Sequence, residues 1–223
     1  DKLACDLSAI SRYEDLPFLP VRLFKAFDLK SIAKENIFKT MTSSGTSNQA
    51  VSKIYLDKTT AANQQKTLVK IASNFIQTSR MPMLIIDCPS VIKDRNMFSA
   101  RGAAILGFSI FGTDRTYALD DEMNINFNAI NSFLEKHKGQ KILLFGFTFV
   151  IWQFFYKKLK ELNAKIDLSN AILIHGGGWK KLINEAMSKS EYKQSLSDIC
   201  KIKLIHDYYG MVEQTGCIYM ECE

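Results

Sequence analysis

Residues 141–162 read KILLFGFTFVIWQFFYKKLKEL, in which an apolar run extends to Phe155 before lysines begin to recur. The run is interrupted by a glycine, a threonine and a glutamine, and it is shorter than the ~18 apolar residues that a membrane-spanning helix requires. Its first part is typical of a buried strand and its second part of a helix that packs on a sheet. We therefore predict a strand at 141–147 that leads directly into a helix at 148–162.

The same alternation of short β-rich runs and longer helical runs begins at Val51, as in an α/β fold. The predicted strands are 51–56, 83–87, 103–111, 141–147, 171–175, 202–206 and 217–221. The predicted helices are 59–77, 126–138, 148–162, 179–189 and 191–200. We expect Thr59 or Thr60 to cap the first of these helices. The sequence thus predicts an α/β layered sheet with crossover helices over residues 41–223, after a docking segment at residues 1–40.

Charge and composition narrow the class of protein. The 223 residues carry 29 Lys and Arg against 23 Asp and Glu, a formal net charge of +6, and 47% of them are hydrophobic. This is the composition of a globular protein, which excludes a disordered or collagen-like chain. The lysines are dispersed along solvated helix faces, so no nucleic-acid partner is expected, whereas the positive balance favours small anionic ligands.

The five cysteines include no CxxC pair, so the sequence predicts neither a zinc site nor a disulfide framework. Reduced thiols fit a cytoplasmic location. The first residues lack the apolar core of a signal peptide, and no apolar segment is long enough for a membrane span. We therefore expect a cytoplasmic protein without a membrane span.

A hydroxyl-rich loop precedes the first predicted strand. Residues 41–57 read MTSSGTSNQAVSKIYLD, with five hydroxyl side chains and a glycine between Thr42 and Ser47. Backbone N–H groups of such a turn, together with hydroxyls, can surround phosphate oxygens, and Lys53 can add a positive charge. The stretch is not a Walker P-loop, because it leads into β-branched residues and not into a helix. A polar surface loop is the alternative.

Two glycine-containing loops follow later strands. Residues 172–182, ILIHGGGWKKL, place three glycines between a strand and a helix, where either a close approach to a ligand or a tight turn explains them. Residues 202–216, IKLIHDYYGMVEQTG, combine an aromatic ring that can cover a purine with Glu213, which can hold Mg²⁺. Ligands of open α/β sheets bind beyond the carboxyl ends of the strands, so the two loops are expected to face one crevice.

A serine hydrolase is the first alternative to a nucleotide-binding protein. Residues 107–111, GFSIF, approach the G-x-S-x-G motif around Ser109, and the chain contains three histidines that can serve as bases. The final glycine of the motif is missing, and a strand-like run replaces the strand-to-helix turn that the nucleophile needs.

Several motifs follow one another in a recognisable order. They are SSGTS, SKIYLD at 52–57, IDCPS and SARGAAILGFSIFG within 86–112, LLFGFT at 143–148, HGGGWKK at 175–181 and DYYGMVEQTG at 207–216. In this order they resemble the adenylate-forming superfamily of acyl-CoA synthetases and ligases, and within it the LuxE acyl-protein synthetase family, which is itself similar to phenylacetate-CoA ligases. The resemblance covers most of residues 16–223 and implies the large N-terminal domain of these enzymes, with ATP and Mg²⁺ as cofactors.

The resemblance also implies roles for single residues. Those that would hold the ATP phosphates are Ser43, Ser44, Gly45, Thr46, Ser47 and Lys53. Those that would line or meet the adenine are Gly176, Gly177, Gly178, Asp207, Tyr209 and Gly210. Lys53 and Glu213 would have the catalytic roles, with Glu213 as a ligand of Mg²⁺. Val212 stands where the superfamily usually has threonine, so the hydroxyl contact of that threonine is not expected here.

The implied reaction is the activation of a carboxylic acid, here a fatty acid, to an acyl-adenylate and its transfer to a thiol of a protein cysteine, coenzyme A or a carrier. An acyl-reductase partner is a further expectation. The superfamily's C-terminal domain, with its adenylation lysine, does not appear before Glu223, so we expect the large N-terminal part of such an enzyme, either as a truncated chain or as a naturally shortened relative. Residues that could form the wall of an acyl pocket are Phe108, Phe111, Phe147, Phe149 and Trp152, and a place in the hydrophobic core is the alternative for most of them. A non-catalytic nucleotide- or partner-binding module is the second alternative.

Overall fold

The computed structural model describes residue 8 and residues 10–43, 50–76, 80–93, 100–215 and 217–221. The strands are β1 (Lys39–Thr42), β2 (Lys53–Leu56), β3 (Met81–Ile86), β4 (Gly112–Tyr117), β5 (Ile142–Phe147), β6 (Ala171–Gly176), β7 (Leu204–Tyr209) and β8 (Tyr219–Met220). The helices are α1 (Leu23–Ala26), α2 (Lys58–Ile76), α3 (Ala100–Phe108), α4 (Phe127–Lys136), α5 (Thr148–Val150), α6 (Lys157–Glu161) and α7 (Lys189–Cys200). A π-helical segment, Ile151–Tyr156, joins α5 to α6.

Six strands form one sheet in the order β4-β3-β5-β6-β7-β8. The strands from β4 to β7 are parallel to their neighbours, and β8 pairs antiparallel with β7. Because β4 lies on one side of β3 and β5 on the other, the direction of strand addition reverses at β3, as in doubly wound folds. β1 and β2 form a separate antiparallel hairpin. This topology confirms the predicted α/β class.

Helices cover both faces of the sheet. On one face α4, the helices between β5 and β6, and α7 share a core with Leu144 and Leu173. On the other face α2 and α3 share a core with Phe145 and Ile174. Every residue of β3, β5 and β6 is buried, as expected for parallel strands covered on both sides. The polar groups at the strand ends are therefore carried by a rigid centre.

The predicted strand at 103–111 is wrong, because this stretch is helical. α3 is followed by a 3₁₀ turn at Ser109–Phe111. Within α3 the buried residues recur every third position, at Gly102, Ile105 and Phe108, which is helical spacing. Because almost every residue of 103–111 is apolar, the helical spacing of the buried residues could not be recognised from the sequence.

Two strands and one cap were not predicted correctly. β4 reads GTDRTY and β1 reads KTMT, and neither has the apolar alternation that marks a strand. The N-cap of α2 is neither predicted threonine but Asp57, whose Oδ1 accepts a hydrogen bond of 2.6 Å from the amide of Thr60. The helix begins at Lys58, two or three residues before the start that a threonine cap required. The predicted helix at 179–189 is a 3₁₀ segment over Lys180–Glu185.

The N-terminal region exposes apolar side chains. α1 is a single turn, Phe18 is 95% exposed, and Phe27 and Phe38 are each 60% exposed. The boundary at residue 40 and the docking role of this segment stay predictions. No helix in the described ranges combines the length and apolar character needed to cross a membrane.

Candidate functional site

The carboxyl ends of β6 and β7 carry the two glycine-containing loops side by side. In the β6–β7 ladder His175 lies opposite Asp207, and Gly176 lies opposite Tyr208. Neighbouring strands are separated by about 4.8 Å, so the loops leave the sheet within one strand spacing of each other. The structure thus brings the glycine triplet and the Tyr-Gly loop together at the carboxyl ends of two neighbouring strands.

The three glycines of the triplet have different surroundings. A Cβ atom on Gly176 would lie 2.7 Å from the carbonyl oxygen of Tyr208. Gly177 has φ +78°, and a Cβ atom there would lie 2.8 Å from Cδ1 of Phe147. A Cβ atom on Gly178 would meet nothing within 4 Å, and Gly177 and Gly178 are both exposed. The first two glycines are required by the fold, and the third leaves backbone open to a ligand.

Tyr209 presents an aromatic ring at the carboxyl end of β7, one residue beyond the partner of Gly176. It is 59% exposed at the end of β7, and Gly210 follows it. Its ring centroid lies 6.4 Å from that of Tyr219, whose hydroxyl accepts a 2.8 Å hydrogen bond from Nε2 of Gln214. An exposed, laterally supported ring of this kind is suited to stacking on a flat ligand.

Asp207 provides a half-buried carboxylate at the same edge. Its Oδ2 lies 3.7 Å from Nζ of Lys189, and its Oδ1 lies 3.9 Å from Nδ1 of His175. Burial raises the pKa of Asp207, and the positive charge of Lys189 opposes that rise. The neighbouring Glu221 raises the pKa of Asp207 further.

His175 is the buried neighbour of Asp207. It is 5% exposed, and its Nδ1 lies 3.0 Å from Oγ1 of Thr148. Its ring packs 4.9 Å from that of Tyr192 on α7. Burial lowers the pKa of His175 to about 4, so the imidazole is neutral at physiological pH. The charge on Asp207 is therefore offset by Lys189 and not by His175.

Glu213 lies in a turn after β7 and is partly exposed. Within the described ranges, no group of three or more Asp, Glu, His or Cys residues is arranged to hold a metal ion. A single carboxylate still fits Mg²⁺ in one setting, since this ion commonly takes one or two carboxylates and completes its coordination with substrate phosphates and water. The arrangement thus fits a metal that arrives with a phosphorylated ligand.

The hydroxyl-rich stretch lies in sequence between β1 and β2, and of its predicted phosphate-binding residues before Lys53 only Ser43 is described. The Oγ of Ser43 accepts a 2.9 Å hydrogen bond from the amide of Ser52. The predicted site residues Ser44 to Ser47 lie outside the described residues. Lys53 is exposed on β2, with Nζ 3.9 Å from Oδ1 of Asp28. No described contact joins Lys53 to the β6–β7 edge, so the meeting of all three loops stays a prediction.

Ser109 has the surroundings of a structural residue. It is buried at the end of α3, and its hydroxyl donates a 2.6 Å hydrogen bond to the carbonyl oxygen of Ile105. This is a helix-to-strand connection, whereas a nucleophile requires an exposed strand-to-helix turn. The geometry does not favour a serine hydrolase.

The aromatic residues predicted to form one acyl pocket lie on two faces of the sheet. Phe108, Phe111 and Phe147 belong to the core beneath α2 and α3, against which Phe149 packs. Trp152 belongs to the opposite core. The five rings therefore cannot form one continuous wall, and this expectation is wrong for Trp152.

An aromatic cluster beside the glycine triplet was not predicted. The rings of Trp152 and Tyr156 stack at 4.2 Å, and Trp179 and Tyr192 complete the group. The indole N–H of Trp152 donates a 3.1 Å hydrogen bond to Glu185. The only sequence signal was the position of the second tryptophan directly after three glycines.

The charged residues around Asp207 were also missed. Lys189 and Lys193 are four residues apart on α7, and Glu221 lies just beyond β8. Their spacing indicates a common helix face for the two lysines, but the pairing of β8 with β7 could not be read from the sequence. That pairing is what brings Glu221 to the site.

Comparisons with known proteins indicate the family and the fold of the chain. The profile of the family described as "Acyl-protein synthetase, LuxE" matches residues 5–223. A long-chain-fatty-acid–luciferin-component ligase of Vibrio harveyi is 22% identical over 217 residues, which make up 94% of this chain and 56% of that protein. The ligase of the same name from Aliivibrio fischeri is 23% identical over 216 residues, 92% of this chain and 55% of that protein. The chain thus spans about half the length of these curated relatives.

A solved structure shares the fold. An open conformation of 2-hydroxyisobutyryl-CoA ligase, in complex with 2-HIB-AMP and CoA, matches with a TM-score of 0.53 at 9% sequence identity. The match covers 82% of this chain and 35% of that protein. The chain therefore corresponds in fold to about one third of a larger ligase.

Proposed function

Because this chain belongs to the acyl-protein synthetase, LuxE, family, we propose that it binds ATP and takes part in activating a carboxylic acid for transfer to a thiol. The curated relatives are named for the ligation of long-chain fatty acids, so a fatty acid is the proposed substrate. The observation that supports the proposal best is the pairing of His175 with Asp207 and of Gly176 with Tyr208. This pairing places the open backbone of Gly178, the exposed ring of Tyr209 and the carboxylate of Asp207 at the carboxyl ends of the same two strands.

The adenine is proposed to lie between the glycine triplet and Tyr209. Gly178 leaves room for close approach, and the ring of Tyr209 is exposed for stacking. Asp207 can accept a hydrogen bond from the exocyclic amino group, because its carboxylate is an acceptor when ionised.

The triphosphate is proposed to reach the hydroxyl-rich stretch that separates β1 from β2 in the sequence. Ser43 to Ser47 would donate hydrogen bonds to phosphate oxygens, and Lys53 would add a charge. The ion pair of Lys53 with Asp28 is long, and its ammonium group is exposed, so the side chain is free to turn toward an anion. Glu213 would hold Mg²⁺, which neutralises phosphate charge when it is bound.

The proposed reaction needs no protein nucleophile. A carboxylate oxygen of the acid attacks the α-phosphorus of ATP, the bond to the departing pyrophosphate breaks, and an acyl-adenylate forms. A thiol then attacks the acyl carbon and AMP leaves. Lys53 and the hydroxyls would contribute by holding two anions together and offsetting their charge. The thiol of a protein cysteine, coenzyme A or a carrier can be the acceptor, and a reductase that consumes the acyl product is the proposed partner.

Calorimetric titration of the 223-residue chain with ATP and Mg²⁺ tests the binding half of the proposal. We expect the parent to bind, and Glu213→Gln to lose the part of the affinity that depends on Mg²⁺. Lys53→Ala should weaken ATP binding with or without the metal. Lys160→Ala, which removes an exposed lysine from α6, is the matched control and should bind like the parent.

An unchanged affinity in both Glu213→Gln and Lys53→Ala would refute these residue roles. No binding by the parent at millimolar ATP would refute the proposed function itself. Acid-dependent exchange of labelled pyrophosphate into ATP, screened over fatty acids, tests the chemical step. Binding without exchange would favour a nucleotide-binding module that does not perform the reaction.

A further inference from the structure

A group of four charged side chains surrounds the carboxyl end of β7. Lys189 and Lys193 lie one turn apart on the same face of α7. Asp207 and Glu221 face them, because β8 runs antiparallel to β7 and continues its ladder by one residue pair. The amide of Glu221 donates a 2.8 Å hydrogen bond to the carbonyl oxygen of Asp207. We call these four residues the β7 charge cluster.

The two lysines connect the two acids of the β7 charge cluster. Nζ of Lys189 lies 3.7 Å from Oδ2 of Asp207 and 3.5 Å from Oε1 of Glu221. Nζ of Lys193 lies 3.1 Å from Oε2 of Glu221. The side chains of Glu221 and Asp207 are 18% and 31% exposed, whereas those of Lys189 and Lys193 are 66% and 39% exposed, so solvent screens the pairs in part. α7 thereby places a positive charge beside each carboxylate.

Without the lysines, two half-buried carboxylates would face each other. Burial raises the pKa of Asp207, and the adjacent Glu221 raises it further. Burial also acts to raise the pKa of Glu221, but the hydrogen bond from Lys193 and the amide of Asp207 outweigh it and lower that pKa. The lysines thus oppose the protonation of the two acids that burial and their mutual repulsion favour.

Asp207 keeps acceptor capacity in spite of these neighbours. Its carboxylate oxygens lie 3.7 Å from Lys189 and 3.9 Å from His175, and both distances exceed that of a direct hydrogen bond. An ionised carboxylate that is held by charge, with free lone pairs, attracts an N–H donor and repels a carbonyl oxygen. Adenine and hypoxanthine differ at this point, since position 6 carries an amino group in the first and a carbonyl oxygen in the second.

We propose that Lys189 and Lys193 are positioning residues that, together with Glu221, hold Asp207 ionised and directed at the nucleotide base, and so set a preference for a 6-amino over a 6-oxo purine. The proposal rests on the proposed function, because it assigns Asp207 to the base. It adds the groups that control the ionisation and the orientation of the Asp207 carboxylate. Neither lysine touches the base.

The test compares ATP with inosine triphosphate, which differs from it only at the base. Dissociation constants are measured by calorimetry with Mg²⁺ for the parent, Lys189→Met, Lys193→Met and the double variant. Methionine keeps the length of the aliphatic stem and removes the charge. Lys160→Met on α6 is the matched control, and Lys189→Arg restores the charge at the same position.

We expect the parent to prefer ATP, and the single variants to reduce that preference by about fivefold through weaker ATP binding. Lys160→Met should keep the preference of the parent, and Lys189→Arg should restore it. If the lysines had a merely structural role, or only attracted the phosphates, their replacement would weaken the binding of both nucleotides by the same factor. Circular dichroism and thermal unfolding check that the variants are folded.

Each outcome decides one of the two proposals. If the parent binds ATP and the ratio of the two dissociation constants is the same in all variants, the positioning role is refuted and the proposed function stands. If the parent binds both nucleotides equally, the base preference is refuted. If the parent binds neither nucleotide, the proposed function fails first, and the role of the lysines fails with it.

Discussion

Gly176 and Tyr208 are direct partners in the β6–β7 ladder, and the Tyr208 ring lies over the glycine where a side chain would stand. We expect Gly176→Ala to destabilise the protein by about 2 kcal/mol, because overpacking forces neighbouring groups to shift. Gly178→Ala is the control, since its Cβ atom would enter open space, and it should cost less than about 1 kcal/mol. Urea denaturation measures both. Equal losses in the free energy of unfolding would mean that the Tyr208 ring does not restrict the size of the residue at position 176.

Because His175 is buried, the folded protein is expected to become less stable in acid. The pKa of His175 is lowered by burial from 6.5 to about 4, so between these values the unfolded chain binds a proton that the folded chain does not. Stability is therefore lost as the pH falls from about 6.5 to about 4, by up to about 3 kcal/mol. His175→Asn keeps a polar atom near Thr148 and cannot titrate in this range. Denaturation series at several pH values should show a shallower decline for the variant, and parallel curves would contradict the prediction.

Arg101 offsets the charge of a fully buried acid. Asp87 is 0% exposed, and its Oδ2 lies 3.1 Å from Nε of Arg101. Arg101→Met should destabilise the fold by about 3 kcal/mol, because it leaves a buried carboxylate without its partner. Adding Asp87→Asn should recover part of that loss, as a double-mutant cycle in urea would reveal. Additive losses would show that the two groups are not coupled.

Asp57 is expected to stabilise α2 as its N-cap. Asp57→Ala removes the hydrogen bond to the amide of Thr60 and should cost about 1 kcal/mol. Thr59→Ala changes an exposed residue of the same helix turn and should change stability by no more than about 0.5 kcal/mol. Thermal unfolding distinguishes the two variants. A larger effect at Thr59 would reverse the assignment of the cap.

Tyr209 is predicted to contribute stacking to nucleotide binding. Tyr209→Phe keeps the ring and should leave the dissociation constant of ATP nearly unchanged, whereas Tyr209→Ala should raise it about tenfold. Tyr13→Ala, at a ring that is 81% exposed elsewhere on the chain, serves as the control. Calorimetry with ATP and Mg²⁺ provides the measurement. Binding by Tyr209→Ala that equals the parent would exclude stacking on this ring.

The central strands could be predicted because the features that define them lie within each segment of the sequence. β5 and β6 are runs of apolar residues that end in glycine or a helix start, and their predicted bounds differ from the observed ones by a single residue. β4 was missed for the opposite reason, since GTDRTY pairs only with β3 at the edge and needs no apolar alternation. α3 was mistaken for a strand because its apolar character is nearly continuous.

The candidate site was predictable only in part. The order of the loops indicated Gly177, Asp207 and Tyr209, and parallel pairing explains why the last two lie near the first. Lys189 and Glu221 were not predicted, because their proximity depends on how α7 packs and on a two-residue antiparallel strand. Such tertiary relationships leave no periodic trace in a sequence.

β4 occupies one border of the six-stranded sheet, and among the described residues no further strand pairs with it on its outer side. Its residues Asp114 and Arg115 are charged, and Asp114 pairs with Lys136 at 2.7 Å and with His137 at 2.9 Å. Charged side chains along a free strand discourage another chain from adding to it. The charged residues that concealed this strand from prediction are therefore also expected to disfavour the addition of a further strand at that border.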